Sequence, residues 1–203
     1  GLIGSAISSA RALAVGLASA LGRRADLVAR SASDLFLAVP HLPLVILVVA
    51  LAGPSLLGIA LTLGLLSWPA FARVVRAQTL VELRRGHVEA ARSLGMAPSL
   101  ILARHLAPAL APIVAAKALL TVQYIVLAEA SLAFLGLGDP AVLSWGGAVS
   151  RALAYPLLFV TGAWSWWLLP PVLGIGLFVA ALALLGMTLD ERLSPALRAL
   201  RPR

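Results

Sequence analysis

The sequence contains no cysteine, and charged residues are scarce. Without thiols the chain has no disulfide, no thiolate metal site and no cysteine nucleophile. Only 12% of the 203 residues are charged, compared with roughly 25% in soluble domains. In contrast, 61% are hydrophobic and the mean hydropathy is +1.01. The composition therefore excludes an ordinary soluble domain and indicates an integral membrane protein.

Acidic residues are few as well, with 8 against 16 lysines and arginines, which gives a net charge of +8. A basic excess suits a nucleic-acid partner only when it gathers on one soluble face. Here the basic residues are distributed between apolar runs, so we predict no nucleic-acid binding.

Features of catalytic sites are also missing. The three histidines, at positions 41, 87 and 105, are scattered, and the apolar runs contain no cluster of His, Asp or Glu. The phosphate-binding pattern G-x-x-x-x-G-K-[ST] is absent. We therefore expect no metal site, no cofactor and no enzymatic activity in this chain.

Long apolar runs are abundant. A helix needs about 20 residues to cross roughly 30 Å of hydrocarbon. Five runs are approximately this long: residues 2–21, 35–52, 55–72, 106–128 and 164–186. Gly53 and Pro54 separate the second run from the third. The predicted fold is an all-α polytopic transmembrane helix bundle of about five spans, forming one domain over residues 1–203. Because the chain begins at Gly1 without a methionine or a signal-peptide pattern, we expect a processed or truncated start, so five spans is a minimum.

The arginines predict the orientation of these spans. Residues 22–34, 73–105 and 187–203 contain 13 of the 16 lysines and arginines, and all three segments fall on one side of a five-span layout. The positive-inside rule makes that side, including the C-terminus, cytoplasmic. On the opposite side lie aromatic residues suited to the headgroup layer, namely Trp145, Tyr155, Trp164, Trp166 and Trp167.

Two patterns predict helix packing. The first span carries small residues at every fourth position, which permit close helix approach: Gly4, Ser8, Ala12, Gly16 and Ala20. We favour an internal packing seam over a subunit interface. The second pattern is Asp26, Arg30 and Asp34, a charge ladder with a spacing of four that is typical of a solvated helix face.

The loop of residues 73–105 contains a predicted short helix at residues 87–94. The spacing of Val88, Ala91 and Leu94 places them on one side, and Gly95 and Pro98 suit a helix end and the first turn of the next helix. One alternative is a lipid-facing amphipathic helix, but large apolar residues do not cluster on it. We therefore favour docking into a cytosolic protein.

The residues of this loop carry a family resemblance. Glu89, Ala90, Ala91 and Gly95, followed by Pro108, resemble the EAA loop of binding-protein-dependent ABC importer permeases. The flanking segments are similar to the dipeptide, oligopeptide and nickel permease subfamily. They are SWPAFARVVRAQTL at residues 67–80 and LAEASLAFLGLGDPAVLSWGGAV at residues 127–149.

The resemblance covers residues 1–198 but has departures. Family members usually have one more N-terminal span and a periplasmic segment, and they commonly carry leucine where this chain has Ala107. The C-terminal tail matches the family only loosely, with Gly186, Leu189, Leu193 and Pro195 retained.

The resemblance implies a permease subunit that moves peptides, nickel chelates or related solutes across the cytoplasmic membrane. Its implied partners are a second permease subunit, two cytosolic ATPase subunits that bind ATP and Mg, an extracytoplasmic substrate-binding protein and the lipid bilayer. The glycine-rich segment at residues 134–140 and the SWGG that follows are implied to form a re-entrant or docking segment that faces the binding protein. A self-contained secondary transporter and a membrane-embedded hydrolase are the competing hypotheses.

By the same resemblance, the short helix is a coupling helix that sits in a cleft of an ATPase subunit. Glu89 is expected to face a polar or basic group of the ATPase, Ala90 and Ala91 to permit close contact, and Gly95 to set the bend. Arg92 and Leu94 complete this ATPase-coupling site. The alternative for Glu89 is a solvated carboxylate paired locally with Arg85 or Arg92.

Polar residues inside the fourth span need a separate explanation, because charge within hydrocarbon is costly. Thr121 and Gln123 lie near Lys117 in the sequence. One interpretation is that Lys117 lines a translocation path, and the other is that its side chain snorkels or is paired inside the bundle. Glu129 lies at the outer end of the same span, where we favour a structural role such as capping or pairing with Arg151.

Overall fold

The structure is a computed structural model that describes residues 1–193, with side chains described for residues 1–189. Across those residues every regular element is helical and no β-strand is present. The helices are α1 (Leu2–Ala18), α2 (Arg23–Ala38), α3 (His41–Ala52), α4 (Leu56–Leu66), α5 (Trp68–Glu82), α6 (Gly86–Ser93), α7 (Pro98–Ile101), α8 (Ala107–Phe134), α9 (Trp145–Leu153), α10 (Trp164–Trp167) and α11 (Leu169–Leu193). The part of the tail match that includes Pro195, and the C-terminus itself, lie outside the described residues.

The described helices provide four runs that are long and apolar enough to cross a membrane: Leu2–Leu21, Leu56–Glu82, Pro98–Phe134 and Trp164–Leu189. A fifth is obtained when α2 and α3, which meet at a bend of 78°, are taken as one broken span. The bend falls at Pro40, which lacks a backbone donor, and Val39 before it is extended, as a residue preceding proline prefers. The prediction of an all-α membrane bundle with about five spans is confirmed.

Two predicted spans are too short at the ends that border residues 73–105. The third continues as α5 to Glu82, and the fourth begins at Pro98 and passes through a π-helical turn at Leu102–Leu106 into α8. The π-helical turn comes directly before Pro108, whose missing N–H cannot continue the regular α-helical hydrogen bonds. Much of the predicted 73–105 loop is therefore a helical extension of these two spans.

The small-residue stripe of α1 packs inside the bundle. Gly4, Ser8, Ala12 and Gly16 are buried, while Ala20 is half-buried. The stripe approaches α4 closely, because a Cβ on Gly64 would lie 2.9 Å from the Cα of Gly4. The prediction of an internal packing seam is confirmed.

The buried apolar side chains form separate clusters along the bundle. One joins α1, α5, α6, α7 and α8 at the end of the bundle that carries the basic loop. A second joins α3, α4 and α8 nearer the opposite end and includes Val45, Leu63 and Ile125. The first cluster is the one that positions α6.

The opposite end of the bundle contains the glycine-rich segment and most of the tryptophans. Gly136 (φ 81°) ends α8, and Asp139 Oδ2 accepts a hydrogen bond of 3.1 Å from the backbone N–H of Leu56, at the start of α4. Trp145, Trp164 and Trp166 are exposed, as residues at headgroup level would be. The suggested pairing of Glu129 with Arg151 is wrong, because no ion pair joins them among the described residues.

Candidate functional site

The elbow, residues 83–97, connects α5 to α7 and contains α6. The predicted helix at residues 87–94 is confirmed with its bounds shifted by one residue, as Gly86–Ser93. At its end Gly95 has φ 78°, the N–H of Gly95 donates to Arg92 O (3.0 Å), and the N–H of Met96 donates to Ala91 O (3.1 Å). This pair of bonds is a Schellman motif, which satisfies the last carbonyls of the helix and needs a left-handed residue. The prediction that Gly95 ends the helix and Pro98 begins the next is confirmed.

The inner side of α6 is anchored in the bundle. Val88 is fully buried and Ala91 is only 6% exposed, and both belong to the cluster that contains Val75 and Leu106. The prediction that Leu94 shares this side is wrong, because its side chain is 87% exposed. The helix has already ended at Ser93, and Leu94 has ψ 5°, so the helical spacing no longer applies. Ala91 therefore packs against its own bundle, which corrects the expectation that it permits close contact with the ATPase.

The outer side of α6 is open. Glu89, Ala90, Arg92 and Leu94 are all exposed. Glu89 makes no ion pair with any described residue, whereas Arg85 binds Glu82 across 3.0 Å. The local pairing of Glu89 with Arg85 or Arg92 is therefore not formed, whereas its carboxylate is solvated, as that alternative expected. The elbow thus presents the Glu89 carboxylate beside the small side chain of Ala90. The carboxylate can accept hydrogen bonds from a partner, and the alanine lets that partner approach closely.

Sequence reasoning missed a buried carboxylate beneath the elbow. Glu82, the last residue of α5, is 7% exposed, and its second oxygen has no hydrogen-bond partner among the described residues. The ring centroid of His87, in α6, lies 5.7 Å from that of His105, in the π-helical turn beyond the elbow. No spacing rule connects residues 87 and 105, since the contact depends on the bend between α6 and α7.

A charged strap, formed by Asp26, Asp34, Arg73 and Arg76, joins α2 to α5. Arg76 binds Asp26 through two nitrogens, at 2.6 and 2.7 Å, and Arg73 binds Asp34 at 2.6 Å. Only Arg30 and Asp34 pair along α2, at 3.6 Å. The predicted ladder is therefore confirmed only for Arg30 and Asp34, and both acids also bind another helix. A bidentate guanidinium–carboxylate pair fixes orientation as well as contact, so the strap holds α2 against the helix that leads into the elbow.

A cavity of about 440 Å³ lies between α3, the junction of α4 with α5, and α8. Lys117, Thr121 and Tyr124 of α8 line it, and the Tyr124 hydroxyl is 2.7 Å from His41 Nδ1. Of the polar residues singled out in the fourth span, Lys117 and Thr121 reach the cavity. Gln123 and Glu129 do not line it.

Comparison with protein families gives one match that covers most of the chain. A family model described as binding-protein-dependent transport system inner membrane component matches residues 12–199. The match includes the elbow, the strap and the cavity.

Individual relatives agree with this match. A protein of Brucella suis biovar 1 (strain 1330), named as a peptide transport system permease protein, is 34% identical over 200 residues. That alignment covers 98% of this chain and 66% of the relative. The glutathione transport system permease protein GsiD of Escherichia coli O1:K1 is 34% identical over 166 residues, which cover 81% of this chain and 53% of GsiD. The chain thus spans just under two thirds of the first relative and about half of the second.

Proposed function

The chain belongs to the binding-protein-dependent transport system inner membrane components, and from this premise we propose that it is a permease subunit of an ATP-driven importer. Peptides or related small solutes are the proposed cargo. The names of the relatives support this assignment, because they describe peptide and glutathione transport permeases. The proposed location is the cytoplasmic membrane, with the elbow and the C-terminus on the cytoplasmic side, as the arginine distribution predicts.

The proposed assembly supplies what this chain lacks. The sequence contains no phosphate-binding loop, so ATP and Mg²⁺ are assigned to two cytosolic ATPase subunits. A second permease subunit completes the membrane part, and an extracytoplasmic binding protein delivers the solute. In this assembly the present chain performs transport and contributes no catalytic site.

The observation that carries the proposal is the two-sided construction of α6. Its inner side is held by Val88 and Ala91 within the close-packed core, and its outer side presents Glu89 and Ala90. The helices on either side of the elbow continue directly into two membrane-crossing runs. Because packed interiors transmit displacement with little compression, a movement imposed on α6 is passed to those spans.

The first prediction concerns Glu89. Replacing it by lysine (Glu89→Lys) reverses the charge that the ATPase faces, so we expect uptake to be lost and the ATPase to dissociate more readily. Uptake is measured in proteoliposomes containing the assembled complex, and association by copurification of the ATPase with the tagged permease.

Ser99→Lys is the matched control, because Ser99 is exposed on α7, outside the outer side of α6. It adds the same positive side chain near the elbow and is expected to leave uptake and ATPase binding unchanged. Wild-type uptake and copurification by the Glu89→Lys complex would overturn the coupling role. ATP-independent uptake by this chain alone, driven by an ion gradient, would instead support a secondary transporter.

A further inference from the structure

The cavity between α3, α5 and α8 lies against the middle of α8, within the membrane-crossing run Pro98–Phe134. Lys117 is ten residues from the start of α8 at Ala107, and Tyr124 is ten residues from its end at Phe134. At a rise of 1.5 Å per residue, each residue is about 15 Å along the helix from the nearer end. That depth is too great for a snorkelling lysine to reach the headgroup layer, so lipid phosphates are unsuitable partners for Lys117.

Among the described residues, Lys117 is the one lysine or arginine that lines the cavity, and no aspartate or glutamate lines it. No described carboxylate lies within 4.0 Å of the Lys117 ammonium. Asp26 and Asp34 are both committed to the strap. A cation at this depth is costly, and such residues characteristically mark solute pathways.

Hydroxyl and imidazole groups complete the lining. The Tyr124 hydroxyl contacts His41 Nδ1 at 2.7 Å, and Ser67 Oγ lies 3.5 Å from His41 Nε2. This chain of polar groups crosses the cavity wall from α8 to the junction of α4 with α5. The volume, about 440 Å³, is within the roughly 300–1,000 Å³ typical of small-molecule sites.

We propose that this cavity is a solute-binding site within the membrane, in which the Lys117 ammonium binds a free carboxylate of the transported solute. The inference rests on the proposed function, because peptides carry a terminal carboxylate. Tyr124, His41 and Ser67 provide hydrogen-bonding groups for the amide backbone. The remaining lining is largely apolar, with Leu37, Phe71 and Leu120 facing the rest of the solute.

The first test compares uptake of trialanine by proteoliposomes that contain the complete complex. Lys117→Met removes the charge at similar volume and is expected to lower uptake at least about tenfold, the effect of losing a charge-assisted hydrogen bond. Lys117→Arg retains the charge and is expected to stay within about threefold of wild type.

The second test reports on binding at the residue itself and exploits the absence of cysteine from the chain. In Lys117→Cys, aminoethyl methanethiosulfonate restores a cationic side chain and is expected to restore uptake, whereas the anionic sulfonatoethyl reagent is not. Trialanine is expected to slow this labelling more than trialanine amide, which lacks the carboxylate. Ser131→Cys, on the same helix but outside the cavity, provides the control position at which neither peptide affects labelling.

The outcomes separate the two proposals. If the wild-type complex imports trialanine and Lys117→Met imports it equally well, the carboxylate site is wrong and the permease function stands. Equal protection of Lys117→Cys by trialanine and its amide also overturns the site. If the wild-type complex imports no peptide with ATP, the proposed peptide cargo fails and the site with it.

Discussion

At the scale of single residues, the elbow depends most on Gly95. Its φ of 78° is in the left-handed region, where a side chain clashes with the following carbonyl. The two hydrogen bonds that close α6 require this conformation. A helix end at Gly95 was predictable from sequence because the glycine follows the last residue of the apolar pattern.

Substitution of this glycine is the second prediction. We expect Gly95→Val to cost about 1–2 kcal/mol at the end of α6 and to raise hydrogen exchange at the backbone amides of positions 95 and 96. Gly86→Val is the control, because Gly86 has no positive φ and a Cβ there meets nothing within 4 Å. Equal exchange in the two variants would contradict the requirement for a left-handed residue.

Other features of the elbow could not be predicted from spacing. Leu94 fits the apolar spacing of α6 but is exposed, because helical geometry stops one residue earlier. Conversely, Glu82 is charged yet buried, which depends on how α5 meets α6. The sequence identifies which residues belong to the elbow, whereas the side that each presents depends on where the helix ends and on contacts distant in sequence.

At the scale of helices, two facing glycines, Gly4 and Gly64, allow α1 and α4 to cross in close contact. A Cβ at Gly64 would lie 2.7 Å from the carbonyl oxygen of Gly4 and 2.9 Å from its Cα, and these are backbone atoms that cannot rotate away. The stripe on α1 was visible in the sequence, but its partner on α4 was not. A single glycine among leucines gives no indication of which helix approaches it.

The third prediction tests this crossing. Gly64→Val must separate α1 from α4, and we expect it to destabilise the protein by about 1–3 kcal/mol, the usual cost of overpacking. Gly176→Val is the control, since a Cβ at Gly176 of α11 meets nothing within 4 Å. Thermal unfolding in detergent measures both, and equal midpoints would show that α1 and α4 are not closely packed.

The strap illustrates why pairing between helices escaped sequence analysis. Asp26 and Arg76 are 50 residues apart, and Asp34 and Arg73 are 39 apart. The spacing of Asp26, Arg30 and Asp34 within α2 suggested a local ladder, which is the pairing that a single helix allows. Their actual partners are determined by the 78° bend that places α2 beside α5.

At the scale of the whole molecule, composition and the lengths of apolar runs were enough to predict the fold class and the approximate number of spans. They did not predict that the helices extend beyond the spans to carry the elbow, because charged residues at helix ends are compatible with either helix or loop. The cavity was also hidden, since His41, Ser67 and Lys117 come from three separate parts of the sequence. A single polar residue in a span does not indicate which neighbours it meets.

The central claim is that the outer side of α6 contacts a second protein while its inner side holds it to the bundle. The most direct measurement is cross-linking in the assembled complex, using Ala90→Cys and Ala91→Cys in this naturally cysteine-free chain with a short thiol-to-amine reagent. Ala90 is exposed and Ala91 is buried, so these adjacent positions lie on opposite sides of the helix. We predict that Ala90→Cys cross-links to the ATPase subunit and that Ala91→Cys does not. If Ala90→Cys forms no link to any protein and stays fully accessible to water-soluble maleimide in the complex, the coupling account is contradicted.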